Sequence, residues 1–309
     1  MQQNIIRPGR RPAERQPLSS RAWAKAALAA ALAAALPATA RAVDISPGDY
    51  AALPEGTNLA LAYFQYSSHD SLDVDGVGKV PDSGLDAYVG LARYVHYLKV
   101  GDMLMNVQAI LPYGGFGDVR IGGVEQKTAN GLGDLILGVS AFLKADNVGD
   151  RGTTLGFVTY FTLPTGNYDP AKVSLGSGTY TVTPQVGVIQ GLGGGFVLDL
   201  AADVAFTFDH EELGVKRTVD PAWQAQGYLR YLVSPETSVS FGYSGRFEGQ
   251  QRAGGVYTGL KSDSQQLRLF ASTFATPSFQ IQGMVGADIA GDGGFRQDFT
   301  AQIRLLKVF

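Results

Sequence analysis

"DFTAQIRLLKVF" (residues 298–309) ends the chain, and apolar and polar residues alternate in it almost to the last position. The two parities are Phe299, Ala301, Ile303 and Leu305 on one side and Asp298, Thr300, Gln302 and Arg304 on the other. An alternation with period two is typical of a β-strand whose two faces meet different surroundings. Soluble domains usually end in a frayed polar tail. This chain instead keeps its strand pattern up to an aromatic residue, Phe309, which predicts a terminal strand that the fold needs.

The same alternation recurs through the chain after Val43. Twelve segments, mostly of about 10 to 14 residues, are rich in Val, Leu, Phe, Tyr and Thr and are separated by Gly, Asp, Asn and Pro. They are 57–67, 84–97, 101–112, 132–144, 152–163, 178–190, 194–208, 222–233, 236–247, 264–275, 278–289 and 294–309. Long and short links alternate between them, except at the last long link, "AGDGG". An all-β, antiparallel, up-and-down barrel of the outer-membrane type has this asymmetry.

The faces of the strands also favour a membrane barrel. In "FVLDLAADVAFTF" (196–208) one parity is entirely apolar, whereas the other carries Asp199, Asp203 and Thr207. A soluble barrel would turn the apolar parity inwards. Strands this long, with charges on the opposite face, favour an apolar face towards lipid and a polar lumen. Closure of the sheet would also remove every unpaired edge, which lipid does not tolerate. Residues 57–97 have no clear inward parity, and a small soluble all-β fold stays open as an alternative.

The N-terminus has the layout of a secretory signal peptide. A basic stretch is followed by the apolar run "AALAAALAAALP" and by the small-x-small site Ala40-Arg41-Ala42. The alternative, a membrane-anchor helix, fits less well because the run is short and Pro37 interrupts it. We therefore expect residues 1–42 to be a signal peptide, residues 43–56 a short periplasmic segment without a plug domain, and residues 57–309 the barrel, with both termini in the periplasm.

Composition excludes several kinds of protein. The chain has no cysteine, which excludes disulfides and thiolate catalysis. Without residues 1–42 it keeps 18 basic and 27 acidic residues, a net charge of about −9. Such an acidic exported chain is a poor candidate for binding nucleic acid.

Two stretches together resemble a known family: "GLGDLILGVSAFL" (131–143) and "LPTGNYDPAKVSLGSGTYTVTPQVGV" (163–188). The matching positions are Gly131, Gly133 and Asp134, then Leu163, Pro164 and Gly166, then Gly176 and Gly178. They are similar to motifs of the outer-membrane proteins grouped as the meta-pathway phenol-degradation family. The resemblance implies a barrel that passes aromatic or other hydrophobic compounds, and it implies no catalytic residues. The glycines also have a structural interpretation, as turns and close approaches of the backbone.

Charged residues fall on the face predicted to line the lumen. They are Arg230, Arg246, Arg268, Arg296 and Arg304, with Asp134, Asp199, Asp203, Asp288 and Asp298. One interpretation is a polarised constriction that orients dipolar or anionic solutes. The other is a set of internal ion pairs that closes and rigidifies the lumen, because buried charges need partners. The sequence leaves both open.

Other chemistry has little support in the sequence. The run "HDSLDVDG" (69–76) lacks the bidentate glutamate of a calcium loop, so it predicts a solvated acidic loop near lipopolysaccharide and no metal site. No serine is obviously placed opposite His69, His96 or His210 on a neighbouring strand, which disfavours a barrel hydrolase. We therefore expect no cofactor and no enzymatic activity.

These patterns lead to one functional hypothesis with alternatives. We expect an outer-membrane channel for the passive uptake of small compounds, with hydrophobic or aromatic solutes suggested only by the resemblance. The expected partners are outer-membrane lipids, lipopolysaccharide, small-molecule solutes and the barrel-assembly machinery, which would recognise the last strand and Phe309. The first alternative is a structural or adhesive barrel whose lumen is closed by the Arg/Asp network. The second is the barrel hydrolase.

Overall fold

The computed structural model describes residues 43–146 and 151–309. Twelve antiparallel strands form one closed barrel, as the sequence predicts. They are β1 (Asn58–His69), β2 (Gly84–Val100), β3 (Met103–Ile121), β4 (Leu135–Ala145), β5 (Thr153–Leu163), β6 (Thr181–Gly193), β7 (Phe196–Thr207), β8 (Ala222–Leu232), β9 (Thr237–Phe247), β10 (Asp263–Thr276), β11 (Phe279–Asp292) and β12 (Phe299–Val308). The described residues contain no helix that is long and apolar enough to cross a membrane.

The last strand closes the barrel. β12 pairs with β1 from Leu59 and Val308 to Ser68 and Phe299. At the end of this seam the Phe309 N–H donates to the Asn58 carbonyl at 3.0 Å, and the Asn58 N–H donates to the Phe309 carbonyl at 2.9 Å. The terminal residue therefore completes the hydrogen bonding between the first and last strands. This explains why the strand pattern continues to the end of the sequence.

The apolar parity faces outwards, as expected for a wall in lipid. On β7, Phe196 and Phe206 are 44% and 47% exposed, whereas Asp199 and Asp203 between them are buried inside the barrel. Glutamine, serine and threonine side chains occupy many of the other inward positions of β6 and β8 to β11. β2 differs, because its inward positions Leu85, Ala87, Val89 and Leu91 are apolar as well. Both faces of β2 therefore carry apolar residues beside a charged one, Arg93 inward and Asp86 outward, which explains why the alternation does not predict its facing.

The two ends of the barrel are unlike. At the turn end lie the first and last barrel residues, Asn58 and Phe309, and the turns at 101–102, 194–195, 233–236 and 277–278. At the loop end the connections carry short strands. These are Ser71–Val74, Gly78–Val80, Val124–Glu125, Thr128–Ala129, Gly131–Leu132, Val173–Ser174, His210–Glu212, Val215–Val219, Gln251–Ala253, Val256–Tyr257 and Gly294–Arg296.

Strand boundaries differ most on β3. The sequence predicts that this strand ends at residue 112, because "YGGFGDVRI" (113–121) is rich in glycine. In the structure β3 continues to Ile121 and pairs with β2 up to Gly84 and Arg120. Glycine lowers strand propensity, but the hydrogen bonds of a neighbouring strand override that local preference. The two strands therefore extend the wall towards the loop end.

Candidate functional site: a lumen crossed by the N-terminal segment

Residues 43–56 are here called the lumen segment; residues 43–53 lie inside the barrel, whereas residues 54–56 are exposed at the turn end. Ile45 and Tyr50 are buried, with 5% and 7% of their surface exposed, and they pack in one cluster with inward residues of β3 to β11. The sequence predicts a short periplasmic segment here, whereas in the structure these residues enter the lumen. The segment has no strand alternation, and its ion pairs join positions far apart in sequence, so no local pattern could reveal its place. The expected signal peptide, residues 1–42, lies outside the described residues.

Asp49 anchors the lumen segment to one side of the barrel. Its carboxylate accepts hydrogen bonds from Arg93 of β2 at 3.0 Å and from Arg304 of β12 at 2.7 Å. All three side chains are at least nine-tenths buried. Because buried charges are costly without partners, the two arginines hold the carboxylate, and its single negative charge offsets one of their two positive charges.

Asp44 anchors the segment to the opposite part of the wall. Its carboxylate accepts a hydrogen bond from Arg268 of β10 at 3.0 Å and lies 3.5 Å from Arg246 of β9. The amides of Gln224 and Gln226 on β8 also donate to it. The backbone of Ile45 next to it donates to Gln226 at 2.9 Å. The segment is thus tied to strands on both sides of the lumen.

A tight turn at Gly48 makes the third attachment. Gly48 has a φ of +91°, a left-handed conformation that favours glycine. Its N–H donates to Asp199 of β7 at 2.9 Å, and Arg230 of β8 makes a two-pronged contact with the same carboxylate at 2.9 and 3.0 Å. The pair Asp199–Arg230 therefore serves as a preformed receptor for this turn.

Tyr50 lies on a platform made by two glycines. Gly156 of β5 and Gly187 of β6 are directly opposite each other in the sheet. A Cβ on Gly187 would lie 2.1 Å from the Tyr50 ring, and one on Gly156 would lie 2.8 Å from it. The Tyr50 hydroxyl donates to Gln185 at 2.8 Å. Only glycine at these two positions leaves room for the ring against the wall.

The lumen segment divides the interior into two cavities that meet at Ile45 and Arg93. The loop-end vestibule has a volume of about 300 Å³, and the turn-end vestibule has a volume of about 440 Å³. The loop-end vestibule has one apolar wall and one polar wall. The apolar wall includes Leu85, Val89, Leu91, Ile110, Ile136 and Leu175, and the polar wall includes Arg246, Glu248, Gln266, Arg268, Asp288 and Gln302.

The predicted lumen charges occupy three kinds of place. Six of them lie inside the barrel at or beside the lumen segment: Asp199, Asp203, Arg230, Arg246, Arg268 and Arg304. At the loop end, Asp288 accepts hydrogen bonds from Ser264 and from the backbone of Gln297. There too Arg296 and Asp298 form a half-exposed ion pair at 3.4 Å. Arg93 was not among the predicted residues, because the alternation of β2 does not give its facing. Asp44 and Asp49 were not among them either, because the lumen segment has no alternation.

Asp134 has a different role from the one predicted, because it pairs with no arginine of the lumen in the described residues. It is fully buried before β4 and accepts hydrogen bonds from the backbone of Gly166 at 2.9 Å and from the backbone and hydroxyl of Ser177 at 2.7 and 2.6 Å. It therefore holds residues 164–180, here called the folded loop, against the barrel. Through Val173 and Leu175 this loop lines the loop-end vestibule.

The glycines of the family motifs surround the same anchor. A Cβ on Gly166 would lie 2.5 Å from the backbone of Gly133, and one on Gly176 would lie 2.9 Å from the carbonyl of Asn167. A Cβ on Gly131 would collide with Asn167, and one on Gly178 with Tyr168. The chain segments pack so closely here that the motif positions act by bringing the folded loop onto Asp134. Leu163 and Pro164 form the end of β5 where this loop begins.

The comparisons with known proteins agree with this architecture. The model of the family described as "Putative MetA-pathway of phenol degradation" matches residues 68–305. An outer membrane channel from Pseudomonas putida has a TM-score of 0.77 at 29% identity, over 86% of this chain and 100% of that chain. No curated protein matches the chain in sequence.

Two other solved structures are less similar. The transport unit of the autotransporter AIDA-I from Escherichia coli has a TM-score of 0.49 at 8% identity, over 91% of this chain and 96% of its own. The NanC porin has a TM-score of 0.45 at 10% identity, over 81% of this chain and 98% of its own.

Proposed function

The chain belongs to the MetA-pathway phenol-degradation family, and on that premise we propose that it is an outer-membrane channel for the passive uptake of small hydrophobic or aromatic compounds. The observation that carries this proposal is the loop-end vestibule. Its volume of about 300 Å³ is at the lower end of the range of small-molecule sites. One apolar wall and one polar wall suit a solute with an aromatic ring and a hydroxyl group.

Passage through the barrel depends on the lumen segment. A solute bound in the loop-end vestibule meets Val43 to Ser46 as the floor of that cavity. The segment must shift, or leave a side path, before the solute reaches the turn-end vestibule. Because its anchors are ion pairs and hydrogen bonds to the wall, it can be released without unfolding the barrel. Uptake would then follow the concentration gradient.

The alternative of a structural barrel draws on the same contacts. Asp44 and Asp49 join four arginines across the lumen, which fits an interior closed by an Arg/Asp network. The two functions differ in one measurable property, since only a channel conducts ions or passes solutes.

The surroundings of the barrel are part of the proposal. The apolar outer wall supports a position in an outer membrane. In this proposal the turn end and both termini face the periplasm, and the loops lie near lipopolysaccharide. Residues 1–42 would be removed as a signal peptide. The barrel-assembly machinery would recognise β12 and Phe309, whose ring is 62% exposed on the outside.

Single-channel recording in planar bilayers tests the proposal. The refolded full barrel, verified by its heat-modifiable gel mobility, should show small, intermittent openings whose current falls when phenol is added. A variant that lacks residues 43–53 should conduct more and stay open, because the anchored part of the segment is gone. Gly283→Ala on β11 is the control, since an added Cβ there meets no atom within 4 Å and Gly283 does not line either vestibule. Silence of both wild type and deletion variant, with correct folding, would refute the channel.

A further inference from the structure

We propose that the barrel contains a receptor for its own processed N-terminus, in which the α-ammonium group of Val43 pairs with Asp203. The inference requires cleavage between Ala42 and Val43, the junction that the small-x-small pattern of the sequence predicts. It does not depend on what the barrel transports.

Asp203 of β7 has an unused acceptor. Its side chain is buried, with 5% of the residue exposed, and its Oδ1 atom has no hydrogen-bond partner among the described residues. None of the ion pairs within residues 43–146 and 151–309 includes Asp203. Arg246 of β9 and Arg268 of β10 contact Asp44 instead. A buried carboxylate in this position is costly unless a cation joins it.

A second unused acceptor lies directly opposite. Gln224 of β8 is paired with Asp203 in the sheet, and its Oε1 atom also lacks a partner in the described part of the chain. Its amide nitrogen is already engaged, because it donates to Asp44. Two neighbouring acceptors thus face a place where donors are missing.

The lumen segment brings Val43 to this place. The amide of Gln185 donates to the Val43 carbonyl at 3.0 Å and to Asp203 Oδ2 at 2.9 Å. The carbonyl and the carboxylate therefore lie within about 6 Å of each other, since two ordinary hydrogen bonds share one nitrogen. The nitrogen of Val43 is only about 3 Å from its own carbonyl oxygen by standard backbone geometry. The Val43 nitrogen therefore lies no farther than about 9 Å from Asp203 Oδ2, and rotation about the backbone bonds of the first residues would have to close this gap for the ion pair to form.

Processing changes the chemistry of that nitrogen. In the uncleaved chain it is an uncharged amide with one N–H. After cleavage it is an ammonium group with a positive charge and three N–H donors, enough for Asp203 Oδ1 and Gln224 Oε1 together. Cleavage thus supplies the charge and the N–H donors that the two free acceptors of Asp203 and Gln224 lack, and it allows an ion pair with hydrogen bonds to form. The lumen segment would dock fully only in the mature protein.

The reactivity of the α-amine tests this inference. The protein is purified from outer membranes, its first residue is determined by mass spectrometry, and it is treated with N-hydroxysuccinimidyl acetate in detergent. Acylation requires the neutral amine, and each unit by which an ion pair raises the amine pKa lowers that fraction about tenfold. We expect Val43 to react at least about tenfold more slowly than the free peptide VDIS. The exposed Lys216 serves as an internal reference.

Two variants separate ion pairing from simple burial. Asp203→Asn should restore fast acylation, whereas Asp288→Asn, an equal change in another buried carboxylate, should leave it slow. Insertion of Gly-Ser between Ala42 and Val43 alters no barrel residue, so it stays informative if Asp203→Asn does not fold. It should also give fast acylation. A first residue other than Val43, a fast wild-type reaction, or slow reactions in both Asp203→Asn and the insertion variant would overturn the inference.

Discussion

Substitution of Gly187 by alanine should release the lumen segment from the wall. The new methyl group would lie 2.1 to 2.3 Å from three carbon atoms of the Tyr50 ring. Carbon atoms pack at about 3.5 Å or more, so the ring must move by about 1.4 Å. Gly156 confines the ring from β5, and the hydroxyl is fixed by Gln185. The ring therefore cannot move without loss of contacts.

The expected energy follows from these contacts. Overpacking of a closely fitted site costs about 1–3 kcal/mol, and a lost hydrogen bond costs about 0.5–1.5 kcal/mol. Together they destabilise the docked segment by about 1.5–4.5 kcal/mol. At 1.4 kcal/mol per factor of ten, the released state becomes about 10- to 1,600-fold more populated. The barrel itself keeps its hydrogen bonds, so the effect should be confined to the segment.

Single-channel recording measures this change as the ratio of open to closed time. The control is Gly283→Ala on β11, where a Cβ meets no atom within 4 Å, and we expect wild-type gating. In a Tyr50→Ala background, which empties the platform, Gly187→Ala should have no further effect. Equal open times for Gly187→Ala and Gly283→Ala, in folded protein, would refute the idea that Tyr50 holds the segment.

Three further predictions follow from the anchors and the folded loop. Asp49→Asn should raise the open probability and the anion selectivity of the channel, because Arg93 and Arg304 lose their shared counter-charge. Loss of such a buried partner costs about 3–5 kcal/mol. An unchanged reversal potential in a salt gradient would contradict this prediction. Asp134→Ala should expose the folded loop, so that limited trypsin digestion after Lys172 becomes faster than in wild type; equal cleavage rates would show that other contacts hold the loop. Hydrogen bonds from Lys172 and from the backbone of Ala171 lower the pKa of Asp169. These hydrogen bonds are therefore intact above the ordinary pKa near 4 and are lost as the pH falls through the lowered pKa. Amide exchange at residues 168–174 should accelerate in that pH range, and Lys172→Met should remove much of this pH dependence.

The sequence could predict the barrel because the relevant signals are local. Alternation with period two, in segments long enough to cross a membrane, gives the strands and their facing wherever the two faces differ in polarity. β7 shows this clearly, since its outward residues are apolar and its inward residues include Asp199 and Asp203. β2 shows where this signal fails. Both of its faces carry apolar residues, so the sequence does not indicate that Arg93 faces the lumen.

The site was less accessible to such reasoning. The sequence contains the motif around Asp134, but the strand pattern predicts that the Asp134 carboxylate lines the lumen. The Asp134 carboxylate accepts hydrogen bonds from the backbone N–H groups of Gly166 and Ser177. A pattern of side-chain types cannot indicate that a carboxylate will bind a backbone group. The direction of a buried carboxylate depends on which segments pack beside it.

The sequence by itself determined the twelve strand segments and, for most of them, which face is apolar, because these signals depend on residues one or two positions apart; the closed outer-membrane barrel was the prediction that fitted them best. Only the tertiary structure decided what fills the lumen. Residues 43–56 carry no periodic pattern, and their position depends on contacts such as Asp49 with Arg304 and Tyr50 with Gly187, which are far apart in the chain. Such contacts exist only when closure of the barrel brings inward side chains around one axis, and that geometry is absent from any local stretch of sequence.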